Sequence, residues 1–111
     1  MKKSTKPGYG IAALKAEVLK SISHPARLMM VEMLAEKELC VCEINEAIEA
    51  DHSTISKHLS ILKKAGVVSD RKEGLKVYYK LEVPCIMKFI SCITSVVESR
   101  AKKELSVLKG K

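Results

Sequence analysis

Apolar residues recur along the chain at intervals of three and four, switch to alternation over one short stretch, and then return to the helical period. Ile11, Leu14, Val18 and Ile22 lie on one helical face, and that run stops near Ser23. Pro25 suits the first turn of a second helix, where its missing N–H leaves nothing unpaired, and Leu28, Val31 and Leu34 form the inner stripe. A short third helix follows Cys42, with Ile44, Ala47 and Ile48 inward, until the polar stretch Glu49-Ala50-Asp51-His52 breaks it. Ser53 can cap a fourth helix, in which Ile55, Leu59 and Leu62 stand at i, i+4 and i+7. Gly66 ends this helix, and Thr54, Ser56, Lys57, His58 and Lys64 are left on its other faces. Two helices so spaced predict a helix-turn-helix.

Beyond Gly66 the period falls to two. Residues 67–72 and 75–81, the second of them alternating apolar with polar, flank Glu73-Gly74, a turn in which glycine supplies positive φ, so a β-hairpin wing is expected. Pro84 then opens a last helix, in which Ile86, Phe89, Ile90, Ile93, Val96 and Val97 make a stripe wide enough to cover another helix. The expected fold is mainly α with a small β-hairpin wing: a winged helix-turn-helix, dimeric. Residues 1–10, with Pro7, Gly8 and Gly10, read as a flexible basic arm, and 11–109 as a single DNA-binding and sensor domain.

At 111 residues the chain has room for one domain. The apolar stripes of the first and last helices exceed what so small a core can cover, which points to a homodimer. The net charge of +7 is unevenly placed: residues 53–80 hold seven basic and two acidic side chains, whereas 24–52 hold two basic and seven acidic. Ser53, Thr54, Ser56, Lys57 and His58 supply the short polar and basic groups that read base edges, and Arg71, Lys72 and Lys76 cluster at the wing. Double-stranded operator DNA is the expected partner. The cationic start is followed by Lys15, Glu17 and Lys20 instead of an apolar run, and no stretch of about eighteen apolar residues occurs. A cytoplasmic protein with no membrane partner is expected, its four cysteines more suited to metal binding, sensing or burial than to disulfides.

Cys40 and Cys42 stand two apart, and in extended backbone such residues project the same way, so both sulfurs can meet one ion. Metal–thiolate bonds of about 2.3 Å permit chelation, and a helix N-terminus favours the thiolate. Soft ligands select Zn, Cd, Pb or trivalent arsenic. The plain alternative is two buried structural cysteines. Cys85 and Cys92, roughly 10.5 Å apart along one helical flank, cannot readily share an ion within one chain, but either could join Cys40 and Cys42 if fold or dimer brings it near. Burial as small apolar fillers is the alternative for them. His52 reads as a turn residue, His24 as a helix-start residue and His58 as a DNA contact, while Met29, Met30 and Met33 read as core packing. No glycine-rich anion loop or Cys-x-x-Cys accompanies the thiols, so an enzyme is not expected.

From about Ser21 to Leu81 the chain resembles the ArsR/SmtB family of winged-helix repressors. Ser23-His24-Pro25-Ala26-Arg27 is similar to its second-helix entry, Glu38 to Ile44 to its thiol metal box, Ser53 to Gly66 to its recognition helix, and Asp70 to Tyr79 to its wing. The resemblance implies a homodimeric repressor that binds operator when metal-free and dissociates when an inducer binds, arsenite or antimonite first, then Cd, Pb or Zn, with no organic cofactor. The chain departs from the arsenic-responsive pattern at Asn45, where those proteins carry a third cysteine. The zinc-type site of the last helix maps onto Val83, Cys85, Val96 and Ser99, of which only Cys85 could coordinate. Cys85 or Cys92 is therefore the expected third thiolate. The competing functions are a thiol-based redox or reactive-sulfur sensing repressor and a structural-zinc interaction module.

Overall fold

The computed structural model describes residues 8–109. Helices α1 (Tyr9–Ile22) and α2 (Pro25–Glu36) precede a two-residue strand β1 (Leu39–Cys40), followed by α3 (Val41–Ala47) and α4 (His52–Lys64). Strands β2 (Val68–Glu73) and β3 (Lys76–Leu81) form the wing, and α5 (Ile86–Leu108) closes the chain. The three strands make one antiparallel sheet in the order β1-β3-β2. This is the winged helix-turn-helix that the periodicity predicts, with one strand added.

The core forms where the inner stripes of the helices meet the base of the wing. Met30, Val31, Ile44, Ile55, Leu59, Leu62 and Val67 are wholly shielded from solvent. Ile22, Leu34, Leu39, Ile48, Val68, Leu81 and Ile90 complete the cluster. Helix α4 stops in a Schellman arrangement: the Val67 N–H donates to the Leu62 carbonyl and the Gly66 N–H to that of Lys63, both at 3.0 Å. Gly66 sits there at φ 84°, a conformation costly for any residue with a Cβ. The chain can therefore turn at once into β2, holding the wing beside the recognition helix.

Several boundaries differ from the sequence expectation for identifiable reasons. Asp51, not Ser53, caps α4, because a carboxylate is the stronger acceptor at the positive end of a helix; its Oδ1 accepts from the Thr54 N–H at 2.9 Å. The wing turns at Gly74-Leu75, one residue later than expected, because Glu73 and Lys76 pair across the strands and Gly74 takes φ 64° at the first turn position. Helix α3 includes Cys42 and leaves Ala47 exposed. Pro84 precedes α5 in a turn closed by Ile86 N–H to Val83 carbonyl, so the helix itself begins at Ile86. Helix α1 begins at Tyr9, within the expected arm; residues 1–7 of that arm lie outside the described residues.

Much of the apolar surface of α1 and α5 remains uncovered by this chain: Ile11, Leu14, Phe89, Ile93, Val96 and Val97 are all exposed. The fold is thus anchored by α2, α3, α4 and the sheet. Truncating Leu59, fully buried in α4, should lower unfolding free energy by about 2–5 kcal/mol in a urea titration. Leu75→Ala at the exposed wing tip should cost no more than about 0.5 kcal/mol.

Candidate nucleic-acid interface and thiol site

Helix α4 buries Ile55, Leu59 and Leu62 and thereby turns its opposite side outward. Ser53, Thr54 and Lys57 are exposed on its first turns, and Ser56 is half-buried. Hydrogen bonds from the Thr54 side chain and N–H hold the Asp51 carboxyl below its ordinary range, so the cap remains ionised. His58, expected among the DNA contacts, instead packs toward the start of α2. The Arg27 Nη1 lies 3.0 Å from the His58 Nδ1, and the His24 and His58 rings lie 4.5 Å apart between centroids. A guanidinium only donates, so Nδ1 must accept and the imidazole carries its proton on Nε2. Burial, with the fields of His24 and Arg27, pushes its pKa below the ordinary value of 6.5. Arg27 also donates from Nε to the Ser21 carbonyl at 2.6 Å, and His24 caps α2 by accepting from the Ala26 N–H at 3.1 Å. Together these groups join the α1–α2 corner to the recognition helix.

The wing carries the remaining expected cations. Lys72 and Lys76 are exposed beside the turn. Arg71 is engaged within the protein: Nε and Nη2 lie 3.1 and 3.0 Å from the same Glu38 oxygen, Nη1 bonds Glu73, and the guanidinium lies 4.9 Å over the Tyr78 ring. Lys63 near the end of α4 bonds Asp70 on β2 at 3.0 Å and so ties the recognition helix to the wing. Sequence reasoning missed Glu38 and Asp70 as partners. Pairings between α4 and β2, or between β2 and the segment before β1, cannot be seen before the helix packing and the sheet order are known.

The two sulfurs of Cys40 and Cys42 meet, but not by the extended-backbone route the spacing suggested. Cys40 occupies the N-cap position of α3 with φ −83° and ψ 162°, whereas Cys42 already lies in the first helical turn. The cap side chain therefore folds over that turn, with the two Cα atoms 5.4 Å apart. Against the expectation of free thiols, they are joined as a disulfide. The Glu43 carboxylate accepts from the Cys40 N–H at 2.9 Å and fixes the cap. Cys40 is buried and Cys42 exposed. A hollow of about 380 Å³ opens beside the pair, lined among others by His52, Ser56, Lys76 and Tyr79. The sulfurs thus border both the recognition helix and the wing.

Cys85, in the turn before α5, and Cys92, on α5, are free and exposed. Among the described residues no group of three or more His, Cys, Asp or Glu side chains converges to hold a metal ion. Within one chain, then, neither cysteine joins Cys40 and Cys42. Asn45, the position at which the chain departs from the arsenic-responsive pattern, has a buried Oδ1 with no hydrogen-bond partner among the described residues.

Residues 24–70, which span α2, the thiol pair, α4 and the start of the wing, match the family described as bacterial regulatory protein, arsR family. An uncharacterized HTH-type transcriptional regulator of Methanocaldococcus jannaschii is 48% identical over 65 residues, covering 58% of this chain and 73% of that protein. The chain belongs to the arsR family. It is a helix-turn-helix transcriptional regulator, not an enzyme. The arsenic resistance transcriptional regulator ArsR1 of Pseudomonas putida is 44% identical to this arsR-family chain over 70 residues, covering 60% of this chain and 55% of that one. The solved structure of reduced HlyU from Vibrio cholerae is similar with a TM-score of 0.69 at 31% identity, covering 76% of this arsR-family chain and 92% of HlyU.

The neutral His58 sets a pH dependence whose sign is fixed. Its folded pKa is depressed, so its contribution is present above the unfolded value of 6.5 and is lost as pH falls through the lower folded value. Thermal melts should show stability declining as pH drops below about 6.5, and His58→Gln should flatten that part of the profile. An unchanged profile would mean the imidazole does not resist protonation.

Proposed function

We propose that this chain is a transcriptional repressor that binds operator DNA as a homodimer and releases it when a soft metal or metalloid ion is bound by the thiolates of Cys40 and Cys42. The observation that carries this reading is the double position of Cys40. It is the second residue of a strand paired with the wing, Cys40 opposite Tyr78, and also the N-cap of the first helix of the helix-turn-helix. A ligand held by the two sulfurs therefore acts on the first helix of the helix-turn-helix and on the wing at once. Coupling of about 1–3 kcal/mol between the two sites would suffice for derepression.

Support for operator binding comes from the outward polar face of α4 and from the exposed cations Lys57 on that helix and Lys72 and Lys76 on the wing. Support for the homodimer comes from the uncovered apolar faces of α1 and α5, which a second copy would bury. No helix among the described residues is long and apolar enough to cross a membrane, which accords with a repressor working in the cytoplasm. Arsenite or antimonite is the favoured inducer, with Cd, Pb or Zn as further soft ions, given the sulfur pair and the likeness to an arsenic resistance regulator. The ion is held by two thiolates and completed by water or a small thiol, unless the dimer supplies Cys85 or Cys92. Replacing each of these with Ser separates the two cases.

A second reading has an observation of its own. Cys40 and Cys42 are disulfide-bonded, which favours a repressor switched by thiol oxidation. Stoichiometric metal uptake by the reduced protein, with loss of operator binding, supports metal sensing; release by oxidant alone supports redox sensing.

The double variant C40S/C42S should still bind operator and should no longer release it when arsenite or cadmium is added under reducing conditions, as measured by fluorescence anisotropy. Retained release would refute the thiol site. Lys57→Ala with Lys76→Ala should weaken operator binding and lower the slope of log affinity against log salt by about 0.9 for each phosphate no longer neutralised.

A further inference from the structure

Arg71 has its Nε–Nη2 edge, its Nη1 and one face of its guanidinium engaged within the protein. Nε and Nη2, the edge that would take a phosphate in two parallel bonds, are both directed to one oxygen of Glu38 at 3.1 and 3.0 Å. Nη1 is held by Glu73, and the planar face lies over Tyr78. Glu38 immediately precedes β1 and stands two residues before Cys40. The register sets Cys40 opposite Tyr78 on β3, and Tyr78 opposite Arg71 on β2, so thiol residue, aromatic ring and arginine form one row across the sheet. Both ends of the Glu38–Arg71 pair are about half exposed, with side-chain accessibilities of 40% and 51%, so a phosphate can compete with Glu38 for the cation.

We propose that Glu38 gates Arg71: with the pair closed the wing cannot offer this arginine to DNA, and operator binding requires Arg71 to exchange the Glu38 carboxylate for a phosphate. Because Glu38 lies on the segment leading into the sulfur pair, a ligand at Cys40 and Cys42 that holds β1 in place keeps the gate closed. Glu38 is thus a positioning residue that carries the state of the thiols to the wing. The inference rests on the operator-binding reading above. Exchange of one carboxylate for one phosphate leaves the same arginine donors bonded in both states, so the gate contributes little to stability and acts chiefly on DNA affinity.

The test is a double-mutant cycle on duplex DNA selected by the reduced full chain from a random pool. Glu38→Gln should raise affinity about two- to fivefold, the worth of one exposed ion pair, and the gain should vanish in an Arg71→Ala background. Glu73→Gln, which removes the other carboxylate that holds Arg71 but lies on the wing and not on the thiol segment, serves as the comparison for loosening Arg71 without touching its link to the thiols. Sodium arsenite should weaken binding of wild type and of Glu73→Gln more than that of Glu38→Gln. An equal gain from Glu38→Gln with and without Arg71 would reduce Glu38 to a repelling charge and overturn the gate, as would equal weakening of all three proteins by arsenite. A reduced wild type that selects no duplex would instead overturn the operator reading itself. Circular dichroism of each variant checks that these surface changes leave the fold intact.

Discussion

The pairing of Leu39 and Cys40 with Tyr79 and Tyr78 is the constraint on which the rest of the molecule turns. A free two-stranded hairpin is marginal in water, and β2 with β3 would be little more than that. The third strand, with Leu39 buried, fixes the root of the wing to the segment that starts α3. Orientation of the wing and orientation of the first helix-turn-helix element thereby become one variable. Cys40 stands at the joint between the two.

Electrostatics divides the same surface into parts held by the protein and parts left for a partner. Arg71 and Lys63 are matched by Glu38, Glu73 and Asp70, whereas Lys57, Lys72 and Lys76 are exposed. Surface ion pairs of this kind add little to stability. Their value is geometric: Lys63–Asp70 spans helix and strand, and Glu38–Arg71 spans the segment before β1 and the wing. On the opposite side, the neutral His58 rests against His24 and accepts from Arg27, so the recognition helix is buttressed there by polar rather than apolar groups. A half-buried imidazole whose protonation is disfavoured makes that buttress sensitive to acid.

Helix periods, the change to alternation at the wing, the stop at Gly66 and the basic face of residues 53–80 were determined by the sequence alone, because each depends on residues within a few positions of one another. The sulfur pair was legible for the same reason, as was the excess of apolar surface on α1 and α5. Interactions made across long separations were not. Strand β1 is two residues long and has no pattern of its own until β3 lies beside it. The partners of Arg71 and the inward turn of His58, 31 residues from Arg27, follow only from register and helix packing. The positions of Cys85 and Cys92 depend on how α5 leaves the sheet, which a helical stripe cannot report. Tertiary structure decided which charges are spent inside the protein and which sulfurs meet, since hydrogen bonds and ion pairs act over a few ångströms in space and carry no fixed spacing along the chain.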